Sequence, residues 1–230
     1  MKISYILAAI VFISSSACLG ANDRTIVVHG EYPVLSEVGE GRFEESRESD
    51  AVPLIAYDRG RDYKEKAFIA AIHFLSANVY GYTFFYQPSS MLMKQEEVFE
   101  LELKGTIPED KVQRIGEGVY NNLYRVKIEF RVTPSVEKWL SAFHTNNLRL
   151  TDAEGTSEFY TGFSAGRSDA YLDALKNLVL VTAKNKLSSK PLSIKGDILL
   201  EGNPEFSVGA GRYYCSVQGF VNFVEVITYQ

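Results

Sequence analysis

Tyr124-Arg125-Val126-Lys127-Ile128-Glu129-Phe130-Arg131-Val132 alternates without a break. Tyr124, Val126, Ile128, Phe130 and Val132 fall on one side of an extended chain, and Arg125, Lys127, Glu129 and Arg131 on the other. Successive side chains of a strand point to opposite faces, so this segment predicts a strand with one dry and one wet face, the pattern of an antiparallel sheet. Val98 to Leu103 repeats it on a smaller scale, with Phe99, Leu101 and Leu103 against Glu100 and Glu102. Upstream, Asp62 to Val79 has another period. Phe68, Ile72, Leu75 and Val79 recur at helical spacing, Asp62 and Glu65 stand as in a capping box, and Gly81 follows the end. Helices on one face of antiparallel sheets define an α+β class.

Working outward, Thr25-Ile26-Val27-Val28 reads as a strand, and the acidic, glycine-containing run Glu37 to Asp50 as a solvated loop or hairpin. Pro134 opens a short amphipathic helix carrying Val136, Trp139, Leu140 and Phe143, and residues 145–157 read as a polar loop. Glu158 to Phe163 reads as a strand. A second helix follows, capped by Ser168 and running to about Lys186, and then strands at Ser193 to Leu200 and Tyr213 to Thr228. Each half thus reads strand, helix, strand, strand. The helix starts Gly60-Arg61-Asp62 and Gly166-Arg167-Ser168-Asp169 look alike and suggest a duplication. The expected organisation is residues 1–17 as a signal peptide, 18–24 as a tether, 25–145 as a first α+β unit with a connecting helix, and 146–230 as a second.

The opening of the chain predicts export. Lys2 precedes an apolar run, Ile3 to Ile13, and then Ser14-Ser15-Ser16-Ala17-Cys18. A basic start, an apolar stretch of about ten residues and a small-residue exit make a secretory signal, short of the ~20 residues a spanning helix needs. Two processing routes fit: ordinary cleavage before Cys18, or a relaxed lipobox in which Cys18 carries a diacylglyceryl thioether. The expected location is the periplasm, with an outer-membrane lipid anchor if Cys18 is acylated.

Composition narrows the functions. Removing residues 1–17 takes away only Lys2, leaving 23 basic and 29 acidic residues, net −6. No Lys/Arg cluster stands out, which argues against a nucleic-acid partner. The two cysteines, Cys18 and Cys215, make no disulfide framework, and Cys215 sits in a strand-like run as a small hydrophobe. Gly162-Phe163-Ser164-Ala165-Gly166 matches the nucleophile elbow of α/β-hydrolases, where Ser, an acid and His follow in that order. Here His29, His73 and His144 all precede Ser164, so the expected reading is a glycine-flanked turn into a helix. The histidines lack metal-ligand spacing, and the Lys and glycine spacing of a phosphate loop are missing. No catalytic residue, cofactor or metal is expected. The aromatic run Tyr80, Tyr82, Phe84, Phe85 and Tyr86 is expected in the core or at an edge.

The stretch from Lys64 to Val132 resembles the N-terminal domain of the flagellar basal-body protein FlgT and related short envelope lipoproteins. The features that carry the likeness are the alanine-rich helix with Ala67-Phe68-Ile69-Ala70-Ala71, a strand ending at Gly105, and the strand Leu123-Tyr124-Arg125-Val126-Lys127-Ile128. The resemblance covers about a third of the chain and implies a non-catalytic assembly role in the envelope. The expectation is therefore a non-enzymatic scaffold or protein-binding module with an envelope protein as partner. A periplasmic small-ligand-binding protein with a tyrosine-lined pocket is the alternative, and a serine hydrolase at Ser164 the third.

Overall fold

The computed structural model describes residues 24–34, 62–91, 93–145 (144 and 145 by backbone alone), 148–159 and 162–228. Cys18, the signal and most of the tether, and the acidic run from Glu37 to Asp50 lie outside them. The order is β1 (Thr25–Pro33), α1 (Tyr63–Val79), β2 (Tyr82–Gln87), β3 (Val98–Leu103), a short 3-10 turn, β4 (Val112–Tyr120) and β5 (Leu123–Arg131). Then come α2 (Pro134–Thr145), β6 (Thr151–Glu158), α3 (Phe163–Lys186), β7 (Pro191–Leu200), β8 (Glu205–Gly209) and β9 (Arg212–Thr228). The class is α+β, and the strand pairs are antiparallel.

Two sheets result. The first has the order β1-β5-β4, and the second β3-β2-β7-β9-β6 with β8 also on β9. They do not follow the expected division at residue 145. β2 and β3 come from the first half of the chain yet pair into the second sheet, where Tyr82 lies opposite Ile198 and Tyr86 opposite Ile194. β7 and β8 run in succession along one edge of β9, interrupted at Gly202-Asn203-Pro204, while β6 takes the other edge of its first half.

α1 lies between the sheets. Ala67, Phe68, Ala71, Ile72, Leu75 and Val79 pack on Val28, Val126, Ile128 and Phe130 of the first sheet. Ala70, Phe74 and Ala77 pack on the core of the second with Tyr82, Tyr171, Leu175 and Ile198. The helix is therefore apolar nearly all round, as a helix buried on both sides must be, rather than amphipathic with a single face. α2 closes one end, burying Leu140 and Phe143 against Leu199 and Phe220.

Both β–α pairs use the same close approach. A Cβ on Gly30 of β1 would stand 2.0 Å from the Ala67 carbonyl oxygen and 2.4 Å from the Ala71 nitrogen. On Gly155 of β6 it would stand 2.1 Å from the Ala174 nitrogen and 2.4 Å from the Ala170 oxygen. Only glycine lets a strand lie this near a helix backbone. The shared glycine over an Ala-x-x-x-Ala step relates the two halves. The helix-start likeness does not, because Asp62 stands at the N-cap of α1 whereas Gly166 to Asp169 lie inside α3.

Several local expectations are corrected. Asp62 holds the N-cap position without a side-chain hydrogen bond to the helix. α3 starts at Phe163, with Gly162 at its N-cap in a left-handed conformation (φ 89°), so Ser168 is a buried helix residue and not a cap. The strand placed at Glu158 to Phe163 instead occupies Thr151–Glu158, within the stretch read as loop. Gly81 does terminate α1, with φ 73° and its N–H donating to the Ser76 carbonyl.

Candidate functional site

The side chains that suggested chemistry are held between the protein's own elements. Ser164, on the first turn of α3, has its Oγ 3.4 Å from the Tyr32 hydroxyl of β1, and Lys66 Nζ donates to that hydroxyl over 3.2 Å. The Tyr32 ring is 1% exposed, and Phe163 meets it edge-on. No histidine stands in these contacts. His29 is on β1, where its backbone N–H donates to Asn203 Oδ1 (3.0 Å) and its Nε2 lies 3.2 Å from Asn203 Nδ2. The side chain of His144 lies outside the described residues.

His73 lies on α1 and ends a chain of buried hydroxyls. Tyr82 OH is 2.8 Å from His73 Nε2 and 2.9 Å from Tyr171 OH. Burial pushes the imidazole down to about 4, so it is neutral at pH 7. His73, Tyr82 and Tyr171 thus form one buried hydrogen-bonded chain. Burial raises both phenols above their ordinary range. Cys215 is buried between β6 and β8, and burial pushes its thiol up to about 12, which leaves almost no thiolate nucleophile.

A charge cluster joins the halves. Glu31 of β1 accepts from Arg125 Nε (2.6 Å) and from the Arg167 guanidinium of α3 (3.4 Å). Arg167 is 4% exposed, stacked at 3.9 Å over Phe206 and 4.8 Å over Phe163, and its Nε has no partner among the described residues. Burial alone would raise the Glu31 carboxyl. The Arg167 charge and the hydrogen bond and charge of Arg125 outweigh it and hold the group below the ordinary carboxylate value. Burial and then the Arg125 charge keep the His29 imidazole below its ordinary value, against the opposing pull of Glu31. Residues 136 apart in sequence meet here, so no local pattern marks the cluster.

The outer faces of the two sheets are charged oppositely. On the face of the first sheet turned from α1, β5 presents Arg125, Lys127 and Arg131, with Glu31 and Glu129 as the acids. Gly116 and Gly118 of β4 lie opposite Lys127 and Arg125 and leave this face low, and Tyr120 beside them is 58% exposed. On the face of the second sheet turned from α1 and α3, the carboxylates are Glu100, Glu102, Asp152, Glu154, Glu158, Asp197, Glu205 and Glu225, with Arg212 against Glu158. Lys104 pairs with Asp197 and Lys195 with Glu225. Among the described residues no ion pair holds Lys127, Arg131, Glu100 or Glu102.

α2 covers part of the outer face of the second sheet at Leu199 and Phe220, and the outer face of the first sheet stays open at Lys127 and Arg131. The chain belongs to a Treponema-type family, whose model matches residues 21–229. No curated protein and no solved structure matches it. Among the described residues no group of His, Cys, Asp and Glu is placed to hold a metal ion, and no helix is long and apolar enough to cross a membrane.

Proposed function

We propose that this protein is a non-enzymatic, exported scaffold or protein-binding module of the cell envelope, anchored through Cys18 when that residue is acylated. The observation that carries the reading is the use of its reactive side chains as internal fasteners. Ser164 meets Tyr32, His73 meets Tyr82, His29 meets Asn203, and the Cys215 thiol is sealed. What remains for a partner is surface: two charged sheet faces and exposed apolar residues such as Val119, Tyr120, Val224 and Ile227. The apolar opening supports export, and the family match begins at residue 21, beyond it. The likeness of residues 64–132 to the FlgT N-terminal domain supports an assembly role.

The test is mass analysis of the protein recovered from cells, followed by crosslinking in the intact envelope. A diacyl mass on Cys18 and a crosslinked envelope protein are expected. An intact Met1 on protein from the cell interior overturns the export reading. Turnover of an ester by the purified chain overturns the non-enzymatic one.

One observation favours a second reading. The Tyr32 hydroxyl stands between Ser164 Oγ and Lys66 Nζ, and once its own proton has left to solvent, the phenolate, held by the Lys66 ammonium, would take the serine proton and return to the phenol. This reading predicts ester hydrolysis that falls by about 10³-fold or more in Ser164→Ala. The same rate in both proteins removes it.

A further inference from the structure

We propose that the partner of the basic face of the first sheet is the acidic face of the second sheet on another copy of this chain, giving head-to-tail assembly. The inference rests on the reading of the protein as a binding module and names what it binds.

Charge complementarity carries the argument. In a chain of net charge −5, the outer face of the first sheet carries three cations, Arg125, Lys127 and Arg131, against two acids, Glu31 and Glu129. Arg125 and Lys127 stand at consecutive outward positions of β5, and Arg131 lies two such positions further on. Glu100 and Glu102 stand at consecutive outward positions of β3 on the other face. Side chains on one face of a strand recur every ~6.8 Å, so Arg125 and Lys127 share the spacing of Glu100 and Glu102, with Glu129 standing between Lys127 and Arg131. Lys127 and Arg131, like Glu100 and Glu102, have no ion-pair partner among the described residues, so their charge is available to a second molecule.

The same charges decide the orientation. Two acidic faces repel, as do two basic ones, so the contact is between unlike faces. A contact between different patches does not close on itself by twofold symmetry. It propagates as a chain, or as a ring where the rotation closes. Electrostatic steering also makes the contact sensitive to salt.

Sedimentation velocity of the full chain, expressed with its own leader, tests this. At low ionic strength the sedimentation coefficient should climb with concentration past that of a dimer, and return to the monomer value at about 1 M salt, where the screening length is ~3 Å. Lys127→Glu with Arg131→Glu, and separately Glu100→Lys with Glu102→Lys, should each leave a monomer with an unchanged circular dichroism spectrum. Mixing the two variants should restore a complex, because the untouched acidic face of one meets the untouched basic face of the other. A wild type that stays monomeric at low salt overturns the proposal, as does assembly that survives either face reversal. Capture of a different cationic protein by a monomeric wild type overturns it too, while leaving the envelope-module reading intact. That reading falls instead on an unprocessed N-terminus or on turnover.

Discussion

At Glu31 one carboxylate holds two guanidinium groups, Arg125 on the surface and Arg167 under the rings of Phe206 and Phe163. Removing the anion strands a buried cation. Glu31→Gln should lower stability by about 3 kcal/mol in urea unfolding, the low end for breaking a buried pair, because Arg125 remains half in water. The pH dependence follows from the protons. Glu31 is depressed below 4.5 in the folded chain, so its contribution is present above the unfolded value and lost as pH falls through the folded one. His73 acts in the same direction at higher pH. Its folded value of about 4 lies below the ordinary 6.5, so the unfolded chain binds the extra proton and stability falls between pH 6.5 and 4. That loss should reach about 2–3 kcal/mol, and in His73→Gln the fall over this window should shrink by that amount, leaving the smaller slope of His29 and Glu31. The two strand glycines make a sharper test. Gly30→Ala and Gly155→Ala should each cost about 3 kcal/mol, since a methyl would overlap helix backbone. Gly116→Ala, whose new carbon meets only Lys127 Cβ at 3.9 Å, should change the urea midpoint little.

Among the elements, what was legible in the sequence tracks how each strand is buried. β5 and β3 alternate large apolar and charged residues because one face is dry and the other wet, so their patterns place them to within a residue. β6 is as much a strand, but its inward positions are Ala153 and Gly155, made small by the approach of α3, and Thr-Asp-Ala-Glu-Gly-Thr-Ser-Glu then reads as a loop. β4 is exposed on most of its length and carries two glycines, so it too lacks a core stripe. Of the candidate sites, Ser164 was visible as a motif, but its neighbours Tyr32 and Lys66 are brought to it only by the fold. β6 also shows how an edge is covered. Asp173 accepts from the Thr156 N–H, and Asn177 donates to the Glu154 carbonyl, so α3 occupies hydrogen-bonding groups that an outside strand would seek. The double change Asp173→Ala and Asn177→Ala should cost about 2 kcal/mol, near 1 per hydrogen bond. It should also speed aggregation measured by light scattering.

Over the whole molecule, the class was readable from periodicity, while the partition into two units was not, because strand pairing between β2 and β7 depends on residues over a hundred positions apart. The charges of the outer faces were likewise present in the sequence as alternating acids and bases. Their segregation to opposite sheets becomes visible only once the strands are assigned to faces.

The position of α1 has a practical outcome. Because this helix supplies core to both sheets, severing the polypeptide between residues 145 and 146 would leave neither piece with a complete interior. Produced apart, fragments 1–145 and 146–230 should each lack cooperative melting, and co-refolding should return a native-like transition. Fluorophores on the two pieces would then report their reunion, making this chain a split sensor whose signal is the docking of α1 and the pairing of β2 with β7.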